Sequence, residues 1–177
     1  MIINIDFSGN EIKFLENNKI SHYGIYTTSW FKHKKTLYNS REKTISTIIT
    51  KIKFSGIKHI IHFDNEVLEL KLKGSLLKNY YECFYKEDKY QIIMHSGFKT
   101  SLFLNDKQIA YYDKKTTAIF DSQKIILECN SNINKDLVYS FISAIELTFE
   151  QKEPITIDIG NIAKDYKVFN ENWKPTN

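Results

Sequence analysis

The chain has 177 residues, of which 42% are hydrophobic and 26% charged, a length and balance that fit one globular domain and exclude a disordered chain. Its formal net charge is +4, but only one of its 25 basic residues, Arg41, is an arginine. Because the planar arginine fork reads guanine edges and grips phosphates bidentately, this composition argues against sequence-specific recognition of nucleic acid.

The body of the sequence predicts short β-strands that follow one another with turns between them. Glu66 to Lys73 shows the pattern most clearly, because leucines alternate there with charged residues. The predicted strands run from Glu11 to Leu15, Lys19 to Thr27, Lys43 to Phe54, Lys58 to Phe63, Glu66 to Lys73, Tyr80 to Lys86, Lys89 to His95, Lys99 to Leu104, Gln108 to Tyr112, Thr116 to Phe120 and Lys124 to Cys129. Strands of this length, spaced by roughly 8–12 residues, are typical of a β-sandwich or barrel.

One long apolar run, Leu137 to Phe149, follows these strands and predicts a helix. Its apolar residues would point in nearly every direction around a helix, and a helix that is apolar on all sides is buried. Asn132 or Asn134 can cap its N-terminus, and Asp136 lies in the first turn, where a carboxylate meets the positive end of the helix dipole. We therefore predict a helix over about 135–149 that is sheathed by the strands.

The sequence after the helix predicts one more strand and an extension. Pro154 helps to end the helix, and Ile155 to Ile159 alternates as a strand. The extension 160–177 is polar apart from four residues, which we expect to hold it against the outside of the body: Tyr166, Val168, Phe169 and Trp173. No linker rich in Gly, Ser or Pro divides the chain, so residues 1–177 are predicted to form a single domain.

Cysteine usage and the N-terminus indicate a cytoplasmic protein. Cys83 and Cys129 lie in apolar, strand-like stretches, and two cysteines in a domain of this size do not make a disulfide framework. We expect two buried thiols in a reducing compartment. The N-terminal sequence lacks the basic and apolar regions of a signal peptide, and no apolar run reaches the roughly 20 residues that span a bilayer.

The order of these elements resembles that of a known superfamily. The strand Lys124 to Cys129, the polar link Asn130 to Asp136 and the apolar helix Leu137 to Phe149 resemble the closing segment of the tubby-like superfamily. That group includes tubby C-terminal domains, LURP-one-related proteins and phospholipid scramblases. The stretch Tyr90 to Ala110 is similar to the paired strands that precede the closing strands in such barrels. The chain is thus identified as a bacterial-type member.

The resemblance implies a mainly β fold, a closed antiparallel barrel of about twelve strands that encloses an apolar helix near the C-terminus. Such closure also removes exposed sheet edges. The chain departs from the family by continuing for more than 20 residues past the helix. The Lys/Arg pair with which eukaryotic tubby domains hold phosphoinositide has no counterpart here, so no lipid-binding residue can be transferred.

The densest basic run, Lys32-His33-Lys34-Lys35, is the candidate ligand-binding site. It follows Trp30 and Phe31, and aromatic residues beside lysines are typical of a patch that binds a membrane surface or phosphate. The alternative is a solvated loop whose aromatic residues pack inward.

Three other residues are candidates for a site of a different kind. In His59-Ile-Ile-His62-Phe-Asp64, only His62 and Asp64 would share a face of a strand, which is too few ligands for a metal. His95, together with Ser96 and Lys99, flanks Gly97 in a predicted turn, and these residues could bind an anion. Glycines are too few and too scattered for a phosphate-binding loop, so no cofactor is predicted.

These observations favour a non-enzymatic binding or interaction module whose partner is an anionic lipid headgroup or another protein. The alternative is an enzyme or small-ligand carrier with a site near His62, Asp64 or His95. A deep polar pocket with converging titratable groups would favour that alternative. Tyrosines and phenylalanines beside lysines could also stack nucleic-acid bases, but the single arginine argues against this function.

Overall fold

The computed structural model describes residues 1–29, 32–53, 56–75, 78–95, 99–114, 124–147 and 167–176. Twelve antiparallel strands form a closed barrel in which each strand pairs with the next along the chain and the last pairs with the first. The strands are β1 (Ile2–Ser8), β2 (Glu11–Glu16), β3 (Lys19–Ser29), β4 (Lys32–Asn39), β5 (Thr44–Lys53), β6 (Gly56–Phe63), β7 (Glu66–Ser75), β8 (Lys78–Tyr85), β9 (Asp88–Met94), β10 (Lys99–Leu104), β11 (Lys107–Asp113) and β12 (Lys124–Cys129). The helix α1 (Lys135–Glu146) follows. The predicted closed barrel of about twelve strands with a helix near the C-terminus is confirmed.

Two strands, β1 and β4, were not among the predicted elements. In β1 the buried residues Ile3, Ile5 and Phe7 alternate with Asn4 and Asp6, a period of two that is typical of a strand with one buried face. In β4 one of the inward positions is a lysine, so apolar and polar residues do not alternate along the strand and its sequence does not indicate a strand. The predicted strands from Thr116 to Phe120 and from Ile155 to Ile159 lie outside the described residues.

The helix distinguishes the two ends of the barrel. Its first turn approaches the start of β3, where the Asp136 carboxylate lies 2.9 Å from Nε2 of His22. Its last turn approaches the upper part of β4, where Lys35 donates a hydrogen bond to the carbonyl of Ala144. We call the end at which α1 starts the lower end and the end at which it finishes the upper end.

The helix fills the lumen. Eight strands make a barrel that side chains alone can fill, so a barrel of twelve strands needs additional material inside. Eight consecutive helix residues, Leu137 to Ala144, are all buried, which confirms the prediction of a helix buried on every side. The ring of Tyr139 stacks on Phe14 at a centroid distance of 4.2 Å, and Phe141 packs against Tyr90 at 5.4 Å.

Polar groups fix the lower end of the helix to the wall. Asn134 is the N-cap, and its side-chain oxygen accepts a hydrogen bond from the backbone N–H of Leu137 at 3.2 Å, as one of the two predicted caps. Lys135 pairs with Glu16 at 2.5 Å, and the hydroxyl of Tyr139 donates to the same carboxylate at 3.1 Å. Polar bonds to Glu16 thus fix the helix to the end of β2, in addition to its packing against the barrel wall.

The two cysteines are buried, as predicted. Cys83 and Cys129 are free, and burial raises the pKa of their thiols to about 12 and about 11 respectively. The helix ends at Glu146 with Leu147 as its C-cap, and residues 148 and 149 of the predicted helix lie outside the described residues. Within the described part of the chain, no helix has the length and apolar character to cross a bilayer.

Gly24 in β3 leaves room for the side chain of Ile12, which lies opposite it on β2. A Cβ atom at this position would lie 2.7 Å from Cγ2 of Ile12, 3.4 Å from Cδ2 of Leu147 and 3.5 Å from Oγ of Ser143. The first distance is shorter than packed carbon atoms tolerate, so Ile12 would have to move, whereas the other two are ordinary contact distances.

We predict that Gly24→Ala lowers the free energy of unfolding by about 1–3 kcal/mol through overpacking, measured by chemical denaturation. Gly9→Asn is the control, because nothing lies within 4 Å of that position and asparagine tolerates its positive φ of 56°. Equal stability of Gly24→Ala and the wild type would contradict the close packing of Gly24 against Ile12.

Candidate binding surfaces

The basic run is part of β4, and the alternation of the strand divides it between two faces. Lys34 is exposed on the outer face, and His33 is exposed near the upper end, with Nδ1 2.6 Å from the hydroxyl of Tyr26. Lys35 points into the barrel. Lys32 begins the strand, but its side chain lies outside the described residues, as do Trp30 and Phe31. The four predicted residues therefore do not form one surface.

Lys35 holds the C-terminal end of the helix. Its side chain is only 4% exposed, and its amine donates to the carbonyl of Ala144. The last turn of α1 carries no basic residue, so the barrel wall supplies the cation that the negative end of the helix dipole favours. Burial lowers the pKa of Lys35 to about 8, and the nearby carboxylate of Glu146 limits the decrease. This corrects the prediction that Lys35 binds an external ligand.

The lowered pKa of Lys35 predicts a pH-dependent contribution to stability. Between about pH 8 and 10.5 the unfolded chain holds the lysine proton more tightly than the folded chain does, so the contribution of Lys35 becomes more favourable as the pH rises through this window. Below about pH 8 both states hold the proton and the contribution is constant. Lys35→Met should remove this component, measured as the difference between the two proteins in free energy of unfolding against pH.

Lys34→Met is the matched control, because it removes an exposed lysine one position away and leaves Lys35 in place. It should keep the wild-type dependence on pH. If Lys35→Met also keeps that dependence between about pH 8 and 10.5, the buried amine does not have the lowered pKa.

A row of lysines crosses the outer face of the barrel towards its upper end. We call Lys34, Lys51, Lys58, Lys71 and Lys73 the lysine face; they lie on β4, β5, β6 and β7. Lys51 is directly opposite Lys58, and Lys58 is directly opposite Lys71. Like charges directly opposite each other on neighbouring strands are destabilising, so this arrangement needs a counter-charge.

Acidic residues neutralise only part of the lysine face. The carboxylate of Glu69 bonds both Lys58 and Lys71, the latter at 2.6 Å, and these two hydrogen bonds lower its pKa to about 2. Glu82 is directly opposite Lys71. Five lysines and two carboxylates leave a net charge of +3 on this part of the wall. Lys34 is the one residue of the lysine face that the sequence analysis predicted. The other four lysines were missed because they come from different strands that are distant in sequence.

His59 and His62 point to opposite faces, as predicted from the alternation of β6. His59 is 4% exposed inside the barrel, with Nδ1 3.0 Å from Oγ1 of Thr50 and with no partner for Nε2. Burial, reinforced by the charge of Lys35, lowers the pKa of His59 to about 3, so the ring is neutral at pH 7. His62 is exposed on the other side.

An open polar cleft of about 680 Å³ lies at the lower end, where the helix begins. His62 and Asp64 both line it, together with Asn134 and Asp136. Asp64 lies in the turn between β6 and β7 and accepts a hydrogen bond from the hydroxyl of Tyr85 at 3.0 Å. Among the described residues, no three His, Cys, Asp or Glu side chains converge as metal ligands.

His95 lies apart from this cleft, on the outer wall of the barrel. It is buried, its Nε2 lies 3.0 Å from Oγ of Ser101, and its ring packs against Phe169 of the extension at a centroid distance of 5.3 Å. The neighbouring Ser96 and Gly97 of the predicted turn lie outside the described residues. The three candidates for an enzyme or carrier site therefore do not come together, although His62 and Asp64 do.

Residues 167–176 of the extension lie against the barrel wall, as the sequence predicts for its aromatic residues. Phe169 packs on His95 and on Tyr111, and Nε1 of Trp173 donates to the carbonyl of Gln108 at 3.3 Å. Val168 is 87% exposed, so its predicted role in holding the extension is wrong. Tyr166 lies outside the described residues.

Comparisons of the chain with protein-family models, with curated proteins and with solved structures find no match.

Proposed function

We propose that the protein is a non-enzymatic binding module that attaches to an anionic membrane surface through the lysine face. The observation that carries this proposal is the row Lys51, Lys58 and Lys71 on three neighbouring strands, whose charge Glu69 neutralises only in part. Lys51 directly faces Lys58, and like charges in this position are destabilising. A lysine near an anionic leaflet gains about 1 kcal/mol, so the lipid surface offsets the cost.

The amino-acid sequence between these strands favours a membrane over a nucleic acid. The chain passes from β3 to β4 through Trp30-Phe31, from β5 to β6 through Phe54-Ser55 and from β7 to β8 through Leu76-Leu77. These six residues lie outside the described part of the chain. Large apolar residues between strands that carry lysines are typical of peripheral membrane proteins, which combine apolar contact with attraction to anionic lipid.

The filled lumen supports a site on the outside of the barrel. The helix buries all its faces from Leu137 to Ala144, so the space inside the wall is already occupied by the chain itself. Membership of the tubby-like superfamily remains part of the proposal. It is supported by the succession of β12, a polar link and a helix sheathed by the barrel.

The first test is co-sedimentation with vesicles. We expect the protein to bind vesicles that contain phosphatidylserine, to ignore vesicles of phosphatidylcholine alone and to be released at about 1 M salt, where charges are screened beyond roughly 3 Å. A short DNA duplex added to the mixture would displace the protein from the vesicles only if charge alone determines binding to the lysine face. If vesicles of both compositions leave the protein in solution at low salt, the membrane proposal is wrong and a protein partner becomes the favoured ligand.

Lys51→Glu separates the role of the lysine face from its effect on stability. The new carboxylate would face Lys58 across the strands, so the free energy of unfolding should stay the same or increase slightly. The affinity for anionic vesicles should fall about 10- to 30-fold, because reversing one charge removes roughly 2 kcal/mol of attraction.

Lys107→Glu is the matched control for this variant. It makes the same change of charge at an exposed lysine at the start of β11, at the lower end of the barrel. Equal losses of vesicle affinity in the two variants would show that net charge, and not the lysine face, determines binding.

The cleft at the lower end favours a second candidate function, a small-ligand carrier or an enzyme. His62 and Asp64 share this open space with the N-terminus of α1, so titratable side chains from separate elements line one recess. Polar groups that converge in a recess are a common feature of ligand sites. This candidate and the membrane module use opposite ends of the same strands, β5 to β7.

Ligand screening by thermal shift tests this second candidate. A polar small molecule that occupies the cleft should raise the melting temperature of the wild type, and His62→Ala combined with Asp64→Asn should abolish the increase. Lys51→Glu, at the other end of β5, should retain it. A ligand that stabilises the double variant as much as the wild type binds elsewhere.

A further inference from the structure

The outer wall formed by β9 and β10 is buried and the outward residues of β11 are half-buried, although the outer face of a barrel ordinarily meets solvent. Gln91, Ile93 and Ser101 are each no more than 1% exposed, and Phe103 is 9% exposed. Their alternation with Tyr90, Ile92 and Leu102 of the core places them on the outside. Residues 167–176 lie on this wall.

Three side chains hold this segment, in the pattern Lys-x-Phe-x-x-x-Trp. The amine of Lys167 lies 2.6 Å from Oδ1 of Asp106, 3.2 Å from Oε1 of Gln91 and 4.4 Å from the ring centre of Phe103. The intervening residues Val168 and Asn170 to Asn172 are exposed.

The second side chain, Phe169, fills a pocket made by the wall. His95 and Tyr111 pack against its ring at centroid distances of 5.3 and 5.0 Å, and the amine of Lys99 lies 4.4 Å from its centre. The third side chain, Trp173, donates a hydrogen bond from its indole N–H to a backbone carbonyl of β11. Spaced anchors with exposed residues between them are how an extended peptide ligand binds a surface.

The segment leaves hydrogen-bonding groups of the wall unused. Nε2 of Gln91 and Nε2 of Gln108 are buried and have no hydrogen-bond partner among the residues that the structure describes. Because the amine of Lys167 can only donate, the oxygen of Gln91 faces it and the nitrogen points away. A buried donor without an acceptor is destabilising, so the segment is not the best possible occupant of this wall.

We propose that the wall of β9 to β11 is a docking groove for a peptide of a protein partner, which the chain occupies with its own residues 167–176. The partner peptide presents a basic residue, an aromatic residue two positions later and a tryptophan four positions after that. It exchanges with the chain's own segment and can supply the acceptors that Gln91 and Gln108 lack. The tethered segment competes at an effective concentration in the millimolar range, so it keeps the groove closed to weak ligands.

The test uses the full chain and a labelled synthetic peptide with the sequence of residues 167–177, followed by fluorescence anisotropy. In Phe169→Ala/Trp173→Ala the tethered segment loses two anchors and the groove becomes accessible. This variant should bind the peptide at least 10-fold more tightly than the wild type. Val168→Ser, a change at an exposed position of the same segment, should bind like the wild type. A peptide in which both aromatic residues are alanine should not bind any of the proteins.

Lys167→Ala keeps the test decisive if the double variant does not fold. It removes an ion pair with an exposed carboxylate and should tighten peptide binding in the same direction by a smaller factor. If the folded variants bind the peptide no more tightly than the wild type does, the segment is a fixed part of the barrel and the proposal is wrong.

Discussion

Filling the lumen is the constraint on which the rest of the structure depends. A closed barrel of twelve strands is too wide for its own side chains, and α1 supplies the missing volume. The wall is adapted to the helix: Glu16 anchors its lower end, and the buried amine of Lys35 donates a hydrogen bond to the carbonyl of Ala144 near its upper end. A helix apolar on all sides could not remain in water, so barrel and helix depend on each other.

Because the inside is occupied, the outer wall and the barrel ends are where binding can take place. Neighbouring strands β5 to β7 carry lysines that face one another towards the upper end and a polar cleft at the lower end. A different part of the wall, on β9 to β11, is covered by residues 167–176. The strands thus separate three surfaces of different chemistry around one filled core.

The fold could be predicted from the sequence where apolar residues either form one long run or alternate regularly with polar residues. The apolar run from Leu137 predicted the buried helix, and the short alternating stretches predicted the barrel. β4 could not be found this way, because Lys35 occupies an inward position where the pattern expects an apolar residue. The lysine face was missed for a different reason: Lys51, Lys58 and Lys71 are distant in sequence and become neighbours only through strand register. His62 and Asp64 were found together because they are two residues apart on the chain.

Hydrogen exchange of the full chain, with and without anionic vesicles, tests most directly the claim that a filled barrel binds membranes with its outer wall. We expect vesicles to slow exchange at the upper ends of β5, β6 and β7, which carry Lys51, Lys58 and Lys71, and to leave the exchange of α1 unchanged. Faster exchange of the helix on vesicles would contradict it, since the helix would then leave the lumen to reach the lipid. Protection confined to the lower end would contradict it as well.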